Sequence, residues 1–280
     1  MARAVRDVGK LRPIDDLMFR VMAQSKAFCG ELLGVLLQDP GLEVVECKPQ
    51  SAVTNPQGRS AVLDALCELS DGRLVDVEVQ RADDDDLQRR VRYYASLVTT
   101  DRTPPGARFA DVPDVCVALV CEFDPLGEGC SLYHVDRVVR EGGRALDNGL
   151  EELYVNALAR DGGEVSALMR VFTEAEAYDE ERFPETSRVK RRLRETEEGR
   201  KDMGSVIEEI REEIRAECIA EGIETGRAEG IAEGEARGEV RGTLKTLVRL
   251  VRDGLVSVQD AAASAGVDAD EIRRTLAAEG

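Results

Sequence analysis

The chain has 280 residues, 42% hydrophobic and 34% charged, with 38 Lys and Arg against 56 Asp and Glu for a formal charge of -18. That length suits one sizeable domain plus an appendage, and the acidic balance excludes a protein that coats nucleic acid by charge alone. No run approaches the roughly 18 apolar residues of a membrane span, and the start MARAVRDVGKLRPIDD lacks the apolar stretch of a secretion signal, so a cytoplasmic protein with no membrane partner is expected.

From Pro13 to about Gln38, apolar residues including Leu17, Phe19, Met22, Phe28, Leu32 and Leu36 recur at helical spacing behind Asp15 and Asp16, which predicts one helix. Leu42 to about Val53 and Ala61 to Gln80 predict strands, the second folded back at the turn Ser70-Asp71-Gly72. A helix is predicted from about Asp84 to Thr99, then a Pro- and Gly-rich loop. The apolar run VCVALVCEF, Val115 to Phe123, predicts a buried central strand, with further strands at Ser131 to Val139 and Leu150 to Leu158. This order describes a mixed sheet flanked by helices, an α/β or α+β domain over residues 1–175.

Residues 176–243 predict a charged helical tail, and residues 244–280 a small helical segment. In the tail, Ile207, Ile210, Ile214, Cys218 and Ile219 are spaced for an amphipathic helix, so a homo-oligomer formed through the tail is expected. Gly222, Gly226, Gly230, Gly234, Gly238 and Gly242 recur every four residues. Each costs a helix about 1 kcal/mol relative to alanine, and a four-residue repeat advances about 40° per step, which predicts a frayed or partner-ordered helix. The final LVRLVRDGLVSVQDAAASAGVDADEIRRTL reads as helix, turn, helix, turn, helix, and its acidic residues favour a docking bundle over a DNA reader.

Residues 1–140 hold 17 Lys and Arg against 23 Asp and Glu, and residues 141–280 hold 21 against 33, so most of the excess acidity lies in the second half. The seven cysteines, Cys29, Cys47, Cys67, Cys116, Cys121, Cys130 and Cys218, are scattered without the close pairs that hold zinc, and read as reduced packing residues. The single histidine, His134, cannot build a histidine-rich metal site and reads as packing.

The hairpin from Ala61 to Gln80 carries the chemistry. Leu63, Ala65, Cys67 and Leu69 on one arm and Val75, Val77 and Val79 on the other are apolar at odd positions. A three-residue turn puts both sets on one face and sets Asp64 opposite Glu78, with Gln80 next along. Facing Cβ atoms lie about 5 Å apart, close enough for two carboxylates to share a hard cation. Spacing alone leaves open that these acids are the wet side of the hairpin, which also carries Glu68 and Asp76.

The stretch VLDALCELSDGRLVDVEVQ resembles the core motif of the PD-(D/E)XK nuclease superfamily, in the form found in the Rpn family of recombination-promoting nucleases and transposases. RPIDDLMFRVM resembles that family's opening helix, RVRYYASL its arginine and tyrosine helix and SLYHVDRVV a later strand, and the glycine-repeat tail is also typical, so the resemblance spans nearly the whole chain. It implies a restriction-endonuclease-like fold and an Mg2+-dependent endodeoxyribonuclease, with Mn2+ a substitute, acting in recombination, mobile-element biology or phage defence. Carried over, Asp64 and Glu78 are the metal-binding acids, the Val79 carbonyl is a further ligand, and Gln80 stands where the superfamily usually has lysine. Glutamine can orient by hydrogen bonds but brings no charge, so weaker or more metal-dependent activity is expected. The alternative is a nuclease fold kept as a DNA- or protein-binding regulator.

Arg89, Arg92 and Tyr93 are the expected DNA contacts. Salt bridging to the acidic run Asp83 to Asp86, which itself suits the start of a helix, is the plainer reading of the arginines. Asp16 and Glu31 on the first helix are candidate accessory acids, with capping or solvation as the plainer alternative. Glu197-Glu198-Gly199 can be encoded by a sequence resembling a ribosome-binding site shortly before Met203, so an internally initiated C-terminal fragment is a candidate partner.

Overall fold

A computed structural model describes residues 10–55, 58–83 and 86–278, with only a subset of the side chains between 210 and 240. It divides into two compact units, Met1–Glu209 and Ile210–Gly280.

The opening segment forms two helices, α1 (Asp16–Met22) and α2 (Lys26–Leu36), where one was expected. Ser25 interrupts them: its backbone is extended and its hydroxyl accepts from the Phe28 amide at 3.4 Å, an N-cap that restarts the helix. The apolar spacing runs through the break because both helices bury one face, Met18, Phe19 and Met22 on α1 and Phe28, Leu32, Leu33 and Leu36 on α2.

Strands β1 (Val44–Val53), β2 (Ala61–Leu69) and β3 (Leu74–Gln80) form an antiparallel meander, and α3 (Leu87–Arg102) crosses to β4 (Val115–Cys121), parallel to β3. After β5 (Leu132–Val135) and a minor ribbon of β6 (Val138–Val139) and β7 (Arg144–Ala145), β8 (Leu150–Asn156) adds parallel to β4 and antiparallel to β5. The result is a six-stranded mixed sheet in the order β1-β2-β3-β4-β8-β5. Every residue of β4 is buried, as its unbroken apolar run requires of a central strand. Pro49 is tolerated in β1 because that strand is an edge. His134 stands exposed on the other edge strand, its Nδ1 4.0 Å from Glu151, instead of packing.

Helix α3 lays Leu87, Val91, Ala95 and Val98 on a core with Leu66, Leu74, Val117, Leu119 and Tyr154. On the α2 side, α4 (Glu164–Thr173) and α5 (Pro184–Glu195) complete the unit, and Phe28 stacks on Phe172 with ring centroids 6.0 Å apart. Helix α5, assigned to the tail by sequence, packs on α2. Its Lys190 is wholly buried and donates to the carbonyls of Val171, Glu174 and Ala177 at 2.8, 2.7 and 2.7 Å, one for each ammonium hydrogen. Lys190→Met strands three carbonyls and is expected to cost about 3 kcal/mol. Urea unfolding measures this, and a loss below about 1 kcal/mol would refute the role.

Helix α6 (Glu197–Arg252) runs unbroken for 56 residues. A Cβ added at any of its six repeat glycines from Gly222 to Gly242 would meet nothing within 4 Å, so no packing among the described residues offsets their helical cost. The side chains of Ile210, Ile214 and Cys218 lie outside the described residues; Ile207 is half-buried and Ile219 exposed. In the second unit the end of α6, α7 (Val258–Ala265) and α8 (Ala269–Ala278) close around Val248, Ala261, Ala262 and Ile272. Ser257 caps the start of α7, and Gly266, at φ 64°, ends it in the left-handed conformation.

Candidate active site

The β2–β3 ladder pairs Ala65 with Val77, Leu66 with Asp76, Cys67 with Val75 and Glu68 with Leu74. Gly72, at φ 92°, supplies the positive torsion that closes the three-residue turn. In this register Asp64 meets Glu78: the Asp64 amide donates to Glu78 Oε1 at 2.9 Å, and the Val79 amide donates to Asp64 Oδ2 at 3.0 Å. The amide and carbonyl of a strand residue point to the same side, so the Val79 carbonyl also faces Asp64, just beyond the last ladder pair. From β1, Gln50 donates its Nε2 to Asp64 Oδ1 at 3.4 Å. Gln50 adopts φ 51°, a left-handed torsion unusual for glutamine, inside a strand beside the carboxylates.

A third carboxylate lies behind these two. Asp76 shares the Glu78 face of β3, is 0% exposed, and neither oxygen has a hydrogen-bond partner. Burial, then the Asp64 charge, pushes Asp76 well above the usual carboxylate range; burial, then Asp76 and Asp64, does the same to Glu78. Asp64 is raised to about 6, first by burial and further by Asp16, against the lowering hydrogen bond from Val79. Three acids thus share a site with more negative charge than its surroundings neutralise.

Positive charge comes from α3. Arg90 Nη1 donates to Gln80 Oε1 at 2.6 Å, while Gln80 Nε2 donates to the Ala82 carbonyl at 2.6 Å. Arg90 also lowers Asp64 and Glu78 through space. One helical turn on, Tyr94 is pushed up to about 12 by burial and by the Glu78 charge. Asp16, the first residue of α1, is brought to the rim by an ionic cluster around its neighbour Asp15. Arg81 binds Asp15 at 2.8 Å and Glu122 at 2.9 Å, and Arg12 bridges Asp15, Glu122 and the Thr173 carbonyl.

Other expected site residues are placed differently. Both oxygens of Glu31 accept from the Glu185 and Thr186 amides, at 2.9 and 2.7 Å, so Glu31 caps the start of α5. Glu31→Ala is expected to lower stability by about 1 kcal/mol in thermal denaturation; a larger effect on DNA cleavage than on melting would restore its accessory role. Arg89 is exposed and pairs with Asp86 at 3.0 Å, and Asp86 caps α3 through the Arg89 amide. Asp84 and Asp85 lie outside the described residues. The Tyr93 hydroxyl donates to the Arg59 carbonyl and accepts from Asn55 Nδ2 at 3.3 Å, tying α3 to the β1–β2 loop. Arg92 shares a surface depression with Arg59, Arg89, Arg90, Tyr93 and Tyr94.

Asp76 and Gln50 are the site residues that sequence reasoning missed. Asp76 shares even parity with Asp64 and Glu78, so a pattern existed for it. Gln50 left no local signal, because only the β1–β2 pairing brings it to Asp64.

A hard divalent cation fits this donor set: carboxylate oxygens on adjacent strands, a strand carbonyl facing them, and a buried acid with two unpartnered oxygens. Among the described residues, no trio of Asp, Glu or His places one donor atom each within 4.8 Å of the others, and Asp64 and Glu78 each accept from a backbone amide. No helix among the described residues is long and apolar enough to cross a membrane.

No curated protein and no solved structure matches the chain significantly. The family model described as PD-(D/E)XK nuclease family transposase matches residues 15–160, from the cap of α1 to just beyond β8, and leaves α4 to α8 outside. That match takes in the mixed sheet, the carboxylate hairpin and α3, and the chain belongs to the PD-(D/E)XK nuclease family of transposases.

Proposed function

We propose that this protein is a metal-dependent endodeoxyribonuclease of the Rpn type, hydrolysing phosphodiester bonds in DNA with Mg2+, or with Mn2+ in its place. PD-(D/E)XK nucleases generally use divalent metal ions, and the family implies DNA as substrate. The observation that carries the reading is the cluster of buried Asp76 and Glu78 with half-buried Asp64, whose carboxylates are raised by burial and mutual repulsion, and in which neither Asp76 oxygen has a hydrogen-bond partner. Asp64, Glu78 and the Val79 carbonyl would hold the ion. When bound, the cation supplies Lewis acidity to the phosphate and lowers the pKa of water.

The remaining work falls to this chain's residues. Gln80 is fixed between Arg90 and the Ala82 carbonyl, so the guanidinium of Arg90 brings the positive charge that lysine would bring at position 80. Arg59, Arg89 and Arg92, which line the depression beside Arg90, would take flanking phosphates. Tyr93 holds the loop that carries Arg59. These roles amount to hydrolysis and require no strand transfer.

The proposal extends to a cytoplasmic role in recombination, mobile-element biology or phage defence, and to self-association along α6, where Ile219, Ile223 and Ile231 are exposed. An internally initiated fragment from Met203 would start at a residue that the first unit buries, and would leave that packing behind.

Covalently closed plasmid tests the reading, because it has no ends for an exonuclease. Nicked and linear products with Mg2+ or Mn2+, absent with chelator, are expected. A folded, DNA-binding protein that leaves the circle intact under all conditions would point to a regulator that keeps the fold.

A further inference from the structure

The cysteines are not scattered in space. Cys29 on α2, Cys47 on β1 and Cys67 on β2 place their sulfurs all within 4.8 Å of one another, with Cys29 Sγ 3.2 Å and Cys67 Sγ 3.0 Å from Cys47 Sγ. Among the described residues this is the trio of metal-ligating side chains that converges. Cys47 and Cys67 are direct partners in the β1–β2 ladder. The start of α2 is tied to the same edge by Lys26, which donates to the Val45 carbonyl. Cys67 has odd parity on β2 where Asp64 has even, so the thiols occupy the opposite face of the sheet from the carboxylates.

We propose that Cys29, Cys47 and Cys67 form a three-thiolate site for a soft divalent cation of the zinc class, separate from the carboxylate site. Thiolate sulfur selects soft and borderline ions over Mg2+. With Zn–S bonds near 2.3 Å, tetrahedral geometry sets sulfurs about 3.8 Å apart, so the trio needs to open by about 0.6 to 0.8 Å at its two short edges. Cys29 and Cys67 are buried and Cys47 is half-exposed, so an ion would enter from the Cys47 side and keep one coordination position there for water. Cys47 Sγ is the centre of the trio, in contact with both buried sulfurs, while Cys29 Sγ also lies 3.4 Å from the Ala23 carbonyl. Three Zn–S bonds form as three thiol protons leave to solvent. A disulfide between Cys47 and Cys67 would use two of the sulfurs and leave Cys29 idle, whereas a metal uses all three.

The test is Co2+ titration of the reduced full-length protein, followed by displacement with Zn2+. We expect one equivalent to develop a sulfur-to-cobalt charge-transfer band that Zn2+ abolishes. The band should vanish in Cys47→Ser, the least buried of the three, and in Cys67→Ser. It should persist in Cys130→Ser, which removes an exposed cysteine outside the trio, and in the double variant Asp64→Asn/Glu78→Gln. Circular dichroism confirms that each variant is folded. A folded wild type with no charge-transfer band overturns the proposal, as does a band that survives Cys47→Ser or one lost on removing the carboxylates. Mass spectrometry showing a Cys47–Cys67 disulfide, in a protein that takes no cobalt once reduced, overturns it in favour of a redox pair.

Discussion

Asp64→Asn and Glu78→Gln are each expected to lower metal-dependent plasmid cleavage by at least about 100-fold while raising the melting temperature of the metal-free protein. The two effects share one cause. Both carboxyl groups sit in a buried cluster that penalises their charge, Asp64 being raised to about 6 from 3.8. An amide keeps the shape and removes the penalty, a gain on the order of 3 kcal/mol for Asp64 at pH 8. The pH dependence follows in sign. A carboxylate whose folded pKa is raised contributes stability in full below its unfolded pKa near 4, and that contribution is lost as pH rises through 6 for Asp64 and higher for Asp76 and Glu78. Metal-free wild type is therefore expected to lose more stability between pH 5.5 and pH 8 than the double variant, and Mg2+ to stabilise the wild type more at pH 8 than at pH 5.5. Scanning fluorimetry at both pH values checks this, and an Mg2+ effect equal at the two would contradict it.

Arg90→Ala is expected to cost about 100-fold in cleavage with little loss of stability, because its guanidinium is the positive charge beside Gln80 and the acids. Arg90 also lowers Asp64 and Glu78, so its removal should shift the acid limb of the rate against pH upward, which a merely structural role would not do. Arg90→Lys is expected to retain part of the activity. Gln80→Lys alone places two cations together and should gain nothing, whereas Gln80→Lys in the Arg90→Ala background should recover activity by returning a charge to position 80. Recovery there with no shift of the acid limb in Arg90→Ala would confine Arg90 to holding Gln80.

The hairpin was legible because a period of two, joined to a three-residue turn, leaves one register that puts both apolar sets together, and the ladder has that register. Strand β4 was legible from its unbroken apolar run. Asp76 was not, because parity says which residues share a face but not that α3 covers this one, and the acid is wholly buried. The break at Ser25 was hidden because the apolar stripe continues across it. Glu31 reaches amides 154 and 155 residues away, and the cysteine trio is assembled by strand pairing across 18 and 20 residues. Such contacts are properties of topology and carry no signature in spacing.

The most direct measurement is plasmid cleavage under single-turnover conditions as Mn2+ is titrated, with wild type beside the Asp64→Asn/Glu78→Gln variant and DNA binding followed in the same samples. The expected result is saturable cutting by the wild type, lost with chelator, and none by a variant that still folds and binds DNA. Cutting that survives chelator, or that persists in the double variant, would contradict a cation held by Asp64 and Glu78.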